Sequence, residues 1–340
     1  MSKNEWTYAK AGVDIDRKSG AIESLVGQLG YRRKGRGTLV NVKGLFTGLI
    51  DFGDVYLTLC TDGVGTKLLI AEELGIWDSI GIDCIAMNVN DTICVGAEPM
   101  SFVDYIAIDR PDDALTREVG KGLEKGAALS NMDIVGGEIA VLPEMVNGLD
   151  ISGTCLGYVD KDRLITGEGV LEGDVIVALR SSGIHSNGLT LARKVAESAG
   201  IGLRDDVQEL GRTLGMELLQ PTEIYVAQVL SILQDHQVRG MVNITGGGLR
   251  NFLRLRKGMR YIIDDPLQAP PIFGLIQNWG PVSTREMYQT FNMGMGYALV
   301  CGREDAESIV ERWENARIVG RVEKGHGVLL EKEDLLYENY

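Results

Sequence analysis

The residues of this 340-residue chain best placed to do chemistry are carboxylates set beside glycines. Asp62 follows the apolar run Val55–Cys60 and opens the stretch Thr61-Asp62-Gly63-Val64-Gly65-Thr66-Lys67. Gly63 and Gly65 let backbone N–H groups approach a ligand closely. An aspartate at that point can hold a hard cation such as Mg²⁺, which favours carboxylate and phosphate oxygens, or it can cap the following helix. The stretch is not a P-loop, because G-x-x-x-x-G-K-S/T is absent. Asp83 and Asp91 share one face of a predicted helix but lie about 12 Å apart along it, too far for one metal to bridge directly. Asp83 stands near the helix start, where capping or dipole complementation would occupy it. Asp91 stands with Asn88 and Asn90 in a polar cluster among apolar residues. Gly136-Gly137-Glu138 follows an apolar strand end, where ligand carboxylates gather in α/β sheets; an ordinary turn with an exposed glutamate fits the same residues.

A second group is rich in hydroxyls and amides. His185 is one of three histidines. It lies in the loop Ser181-Ser182-Gly183-Ile184-His185-Ser186-Asn187-Gly188, whose hydroxyls, amide and following helix N-terminus could cradle a phosphate. Thr245 with Gly246, Gly247 and Gly248 before another helix is a second possible anion site, or a tight turn. His236 and His326 stand in polar surroundings and read as surface residues.

Strand–turn–helix patterns must position these groups. Val55–Cys60 reads as a strand, Leu68–Leu74 as helix, and Ile82 to Ile93 recurs with helical spacing. Phe102–Ile108 is a predicted strand, Thr116–Leu129 a helix, Asp133–Glu138 a strand ending in a turn, and Ile151–Val159 a strand. A boundary is expected near Thr166-Gly167-Glu168-Gly169, dividing the chain into residues 1–166 and 167–340. Beyond it come Asp174–Arg180 as strand, Leu189–Ser198 as helix, Val238–Thr245 as strand and Leu249–Leu255 as helix. The chain ends with strand, helix and strand at Leu299–Cys301, Ser308–Trp313 and Ala316–Val322. Both halves are therefore α/β, with helices covering sheets.

Charge narrows the partners. Lys and Arg number 34 against 48 Asp and Glu, a net charge of −14 that carries no nucleic-acid footprint. Tyr31-Arg32-Arg33-Lys34-Gly35-Arg36 is the one basic cluster and reads as a solvated loop. Glycine is in excess at 44, with only 8 prolines. Anion sites in so acidic a chain must be local, made from backbone N–H groups, a few cations or bound metal. Five widely spaced cysteines without a CxxC pair indicate reduced thiols in a cytoplasmic protein. Met1–Lys10 lacks the apolar core of a secretory leader, and no apolar run is long enough to span a membrane.

Taken together and in order, these segments resemble phosphoribosylformylglycinamidine cyclo-ligase, also called aminoimidazole ribonucleotide synthetase. The matching stretches are Tyr8–Ile15, Thr61–Leu68, Gly81–Pro99, Gly136–Glu138, Ser181–Lys194, Gln220–Val226, Ile244–Asn251 and Glu286–Val300. The resemblance implies a two-domain synthetase-like fold, α/β in the α+β sense. Its N-terminal sheet forms a homodimer interface, its C-terminal sheet is flanked by helices, and ATP binds near the domain boundary. It implies an ATP-dependent ligase of purine biosynthesis that turns formylglycinamidine ribonucleotide into aminoimidazole ribonucleotide. It assigns Asp62, Asp91 and Glu138 to Mg²⁺–ATP. Gly63, Gly65, Lys67, Asp83, Asn88, Gly136 and Gly137 join the nucleotide site, with Lys67 on phosphate or in a salt bridge. Ser182, Ser186, Asn187, Thr245, Gly246 and Gly247 go to substrate phosphate, and His185 to proton transfer or substrate binding. The chain departs from the family pattern at Ile139, Val141, Glu144, Val146, Asn243, Gln289 and in Val42–Phe52, changes expected to touch ligand-lining loops. Two other readings remain to be separated: another ATP-dependent phosphotransferase of the superfamily, and a silent nucleotide-binding paralogue.

Overall fold

The computed structural model describes residues 5–42 and 44–339. The start of the Met1–Lys10 stretch and Lys43 of the Val42–Phe52 run lie outside the described residues. The first half holds α1 (Ile15–Val26), α2 (Lys67–Leu74), α3 (Ile80–Thr92) and α4 (Asp113–Ser130). It also holds six strands: β1 (Thr38–Val40), β2 (Gly48–Phe52), β3 (Val55–Gly63), β4 (Glu98–Ile108), β5 (Asp133–Val141) and β6 (Leu149–Asp160). They form one sheet in the order β1-β2-β3-β6-β4-β5. Only β4 and β5 run parallel, joined through α4, as a parallel crossover requires.

In the second half β7 (Val175–Arg180), β10 (Val238–Asn243), β11 (Met259–Ile263), β12 (Met295–Cys301), β13 (Ala316–Lys324), β14 (Gly327–Leu330) and β15 (Leu335–Tyr337) make a seven-stranded sheet. Its order is β10-β12-β7-β13-β11-β14-β15, while β8 (Asp206–Val207) and β9 (Arg212–Thr213) pair separately. The helices are α5 (Leu189–Ser198), α6 (Leu214–Leu218), α7 (Val226–Asp235), α8 (Pro271–Trp279), α9 (Thr284–Thr290) and α10 (Arg303–Arg312). Mixed sheets with helices laid against them give the α+β character.

α3 is the central positioning element. All but one of its thirteen residues are buried, so it is apolar nearly all round, as a core helix must be. Its polar residues therefore stand out as groups buried for a reason. α3 packs on α4 through two glycines: a Cβ on Gly81 would fall 2.1 Å from the Leu123 nitrogen, and one on Gly122 would fall 2.6 Å from the Asp78 oxygen. Both obstacles are backbone, which cannot rotate away. Gly81→Ala should push the helices apart and cost at least the ~1–3 kcal/mol of overpacking, read as a lower urea midpoint; an unchanged midpoint would contradict the packing.

Two predicted elements differ. Gly136-Gly137-Glu138 lies within β5, not in a turn after it. The glycines make room inside the sheet: a Cβ on Gly137 would fall 2.5 Å from the Asp104 Oδ1. The segment after the Gly246–Gly248 run is a 3₁₀ helix, Gly248–Arg254, where an α-helix was predicted. Gly248 starts it at φ +53, with the Tyr288 carbonyl oxygen 2.1 Å from where a Cβ would sit. That tight start favours the narrower helix.

Candidate active site

Asp62 is the penultimate residue of β3, and its Oδ1 accepts the Gly63 N–H at 2.8 Å. Pairing places Asp62 opposite Gly153, Gly153 opposite Asp104 and Asp104 opposite Gly137. Directly paired residues share a sheet face, so Asp62 and Asp104 lie on the same side, the side where Phe102 is fully buried under the helices. Glu138 pairs with Tyr105, and Tyr105 with Ser152. It therefore projects from the opposite, open face, where Tyr105 is 46% exposed. The three-acid arrangement Asp62, Asp91 and Glu138 is not assembled within this chain, and no group of three or more His, Cys, Asp or Glu able to hold a metal occurs among the described residues.

Asp62 and Asp91 are near enough for the charge of Asp62 to act on Asp91. Burial pushes the Asp91 carboxyl up to about 7; the Asn243 amide opposes this, while the nearby Asp62 carboxylate raises it further and Arg254 lowers it. Asp62 is also raised by its crowded surroundings, although its side chain still reaches solvent. A buried carboxylate with a second, solvent-reaching carboxylate nearby offers oxygen donors whose charge a hard cation would offset. Mg²⁺ is commonly held by one or two carboxylates plus phosphate oxygens and water. The pair fits such an ion, with phosphate completing the shell.

The surrounding asparagines fix this geometry. Asn88 Nδ2 donates to the Asp62 carbonyl at 3.2 Å and to the Cys84 carbonyl at 2.8 Å. Asn90 donates to the Glu223 carbonyl at 2.8 Å and accepts the Tyr225 N–H at 3.1 Å. Asn243, at the end of β10, donates to Asp91 Oδ1 at 2.8 Å, so the second half of the chain orients an acid of the first. Asn88 is thus a fixed strut, fully buried.

Lys67 and Asp83 do not reach the open cleft. Both are fully buried. Lys67 Nζ lies 2.7 Å from Asp83 Oδ2 and donates to the Gln220 carbonyl at 2.6 Å. Asp83 Oδ1 accepts the Thr222 N–H at 2.7 Å and its hydroxyl at 2.6 Å. Burial lowers the Lys67 ammonium, and Asp83 holds it up against that pull. Of the two roles expected of Lys67, the structure shows the salt bridge, which ties α2 and α3 to the Gln220–Thr222 loop.

The hydroxyl-rich loop is tied to the same segment. Ser182 Oγ donates to the Pro221 carbonyl at 2.6 Å, and the Ser186 and Thr222 hydroxyls meet at 3.0 Å. His185, at φ +66, is buried. Its Nε2 accepts the Ser182 N–H at 3.2 Å and faces the Glu223 N–H at 3.5 Å. Accepting there places the ring proton on Nδ1. Burial, with a smaller effect from Lys67, pushes the imidazole down to about 3. Burial therefore favours the neutral imidazole at His185, whose Nε2 is engaged by its own loop. Because the unfolded side chain titrates near 6.5, stability is lost as pH falls from 6.5 toward 3, by up to ~1.4 kcal/mol per pH unit. The penalty of His185→Gln should therefore shrink on acidification; a constant penalty between pH 7 and 4.5 would refute the neutral, buried state.

Asn187 and Gly246 bring the two candidate anion loops together, the Asn187 Oδ1 lying 3.0 Å from a Cβ position on Gly246. The Thr66 and Thr190 hydroxyls meet at 2.9 Å, another bond between the two halves. Thr245 and Gly246 are half-buried and Gly247 is buried. Gly65, at φ +69, has open space beside it. Gln289 donates to the buried Glu286 at 2.6 Å, and Glu286 accepts the Tyr8 N–H at 2.7 Å, tethering the N-terminal segment. A cleft of about 570 Å³ lined by Glu98, Tyr158, Arg163 and His236 holds none of these residues. His236 is half-buried against Asp305 at 3.3 Å, while His326 is exposed. Sequence reasoning passed over Asp104 and Thr222. A carboxylate interrupting the apolar run Phe102–Ile108 was the signal for Asp104; Thr222 carried none.

Residues 47–159 match the family model AIR synthase related protein, N-terminal domain, and residues 172–332 match its C-terminal domain. Among solved structures, AaThiL complexed with AMPPCP and TMP shares the fold, with a TM-score of 0.66 at 17% identity over 94% of each chain. A protein named phosphoribosylformylglycinamidine cyclo-ligase from Methanococcoides burtonii is 46% identical over 95% of this chain and 96% of its own. Its namesake from Methanosarcina mazei is 44% identical over the same shares. The chain belongs to the phosphoribosylformylglycinamidine cyclo-ligase family.

Proposed function

We propose that the chain catalyses ATP-dependent cyclisation of formylglycinamidine ribonucleotide to 5-aminoimidazole ribonucleotide, with release of ADP and phosphate, in purine biosynthesis. Kinship to cyclo-ligases along nearly the whole chain carries this reading. An amide oxygen leaves poorly. Transfer of the terminal phosphoryl group of ATP to the formyl oxygen makes it a phosphate; an amidine nitrogen then attacks the same carbon, loses its proton, and the ring closes as phosphate departs. The protein must align two phosphorylated ligands and neutralise charge on the transferring group. Asp62 and Asp91 would hold Mg²⁺, which would supply that neutralisation. The adjoining loops at Ser186–Asn187 and Thr245–Gly247 would receive substrate phosphate. His185, Ser182 and the Lys67–Asp83 pair hold those loops in place.

The division at 166/167 is supported by the two separate sheets on either side of it. The open sheet face supports a homodimer: Leu59, Val103 and Tyr105 are 45%, 40% and 46% exposed there, and neighbouring exposed apolar side chains suit a protein–protein contact. Tyr105→Glu should shift the species seen by sedimentation from dimer to monomer; persistence of a dimer would place the interface elsewhere. Five free cysteines suit a cytoplasmic setting, and among the described residues no helix is long and apolar enough to cross a membrane.

The deciding assay supplies ATP, Mg²⁺ and formylglycinamidine ribonucleotide and follows the aminoimidazole product together with phosphate. Equal amounts of both are expected. ATP binding without product would defeat the reading, and phosphate transfer to another acceptor would indicate a different phosphotransferase.

A further inference from the structure

The stretch Glu286–Val300 matches the family pattern, and its centre, Asn292, lies buried between α9 and β12. The Asn292 amide makes four hydrogen bonds. Nδ2 donates to the Gly183 carbonyl at 2.9 Å and to the Ile184 carbonyl at 3.1 Å. Oδ1 accepts the Ser181 hydroxyl at 3.0 Å and the Gly294 N–H at 2.9 Å. Two donors and two lone pairs are the whole capacity of a side-chain amide. Three of the four bonds go to the hydroxyl-rich loop, and the Ser181 N–H adds a bond back to the Gly294 carbonyl at 3.0 Å.

The backbone beside these bonds is strained. Among the described residues the non-glycine positions with positive φ are Asn131, His185, Met293 and Asp334. Asn131 and Asp334 are helix C-caps, an ordinary place for that conformation. His185, at φ +66, follows the carbonyls that Asn292 holds, and Met293, at φ +49, follows Asn292 itself. Such residues persist where surrounding bonds over-determine them, and they gather at ligand sites. The bonds also set a direction. A trans peptide points its N–H opposite to its C=O. With the Gly183 and Ile184 carbonyls turned to Asn292, the N–H groups of Ile184 and His185 are turned away from it. Neither N–H has a hydrogen-bond partner among the described residues. Interior backbone donors are ordinarily paired, and successive N–H groups beside a left-handed residue form concavities that bind anions.

We propose that Asn292 is a positioning residue for the substrate, holding the Ser181–Asn187 loop in the form whose Ile184 and His185 N–H groups meet the substrate phosphate. The inference rests on the reading of this loop as a receiver of substrate phosphate. With every donor and acceptor used, Asn292 acts through the loop and not on the ligand. His185 holds the same loop from within, through the Ser182 N–H. An aspartate at position 292 keeps the size of the side chain but replaces Nδ2 by oxygen. Two carbonyls would then face an acceptor, and their peptide planes would turn.

The test compares formylglycinamidine ribonucleotide with its dephosphorylated ribonucleoside by calorimetry, on full-length protein loaded with Mg²⁺ and a non-hydrolysable ATP analogue. The wild-type chain should prefer the ribonucleotide by about 100-fold, the worth of two hydrogen bonds to a charged group. Asn292→Asp should cut that preference by about tenfold or more, while its affinities for the ribonucleoside and for the ATP analogue stay at the wild-type values. A merely structural asparagine would lower the unfolding temperature and the fraction of active protein and leave the preference intact. In the wild-type chain, amide exchange at Ile184 and His185 should slow with the ribonucleotide and not with the ribonucleoside, a readout that decides the matter should Asn292→Asp fail to fold. An unchanged preference in the folded variant, or exchange that the ribonucleotide does not slow, would overturn the proposal. A wild-type chain without phosphate preference would defeat the reading of the loop itself, and the proposal with it.

Discussion

Asp62→Asn and Asp91→Asn should each lower steady-state phosphate release by about 10²–10³-fold, the range seen when one preorganised electrostatic group is removed from a reacting centre. The charge of Asp62 is felt at Asp91, and each substitution leaves a single anion to hold the cation. Neither should destabilise the fold. Asp91 is raised to about 7 mainly because burial disfavours its charge, so its neutral replacement relieves a penalty, and the Asn243 amide can still donate to an amide oxygen. The measurement is phosphate release at several Mg²⁺ concentrations together with thermal unfolding. Wild-type kinetics in both variants would remove the two acids from the mechanism. Collapse of the fold with proportionate loss of activity would make them structural.

Lys67→Met should be the most destabilising of the substitutions considered. It leaves Asp83 fully buried without its counter-ion, though still bonded to Thr222. Breaking one partner of a buried pair costs about 3–5 kcal/mol, whereas replacing both with neutral groups costs far less. Urea unfolding should therefore show that Lys67→Met/Asp83→Asn recovers a large part of the stability lost by Lys67→Met alone. If the double variant is as unstable as the sum of the single ones, the two residues are not coupled and the salt bridge is not what holds the Gln220–Thr222 loop.

Much of the frame was legible because its patterns are strongly periodic. The helix around Asp83 and Asp91, the strand ending at Asp62 and the helix from Leu189 to Ser198 all lie where spacing placed them. Family membership was legible because whole ordered segments match. Local chemistry was harder to read. Glycine beside glycine looks like a turn, yet Gly137 is needed inside a strand because the Asp104 carboxylate occupies its neighbour's space. That misplacement also hid which face Glu138 takes, since face follows from strand register. Lys67 after a glycine turn suggests phosphate, and only burial reveals that Asp83 has already claimed it. His185 among serines suggests catalysis; the N–H groups that its Nε2 accepts belong to backbone, which leaves no trace in side-chain composition. Asn243 registered as a departure from the family, without a visible reason, because its partner Asp91 is 152 positions away.

The hydrogen bond from Asn243 to Asp91 makes the cleft a coincidence detector. The acids and the group that aims one of them come from opposite halves, so neither half carries a finished cation site. Separated halves would each keep a sheet, yet the acid-bearing half would present Asp91 without its aim and Asp83 without Thr222. Selection on the reaction therefore acts on the seam as a single object, which helps explain why two domains with separate sheets travel as one polypeptide.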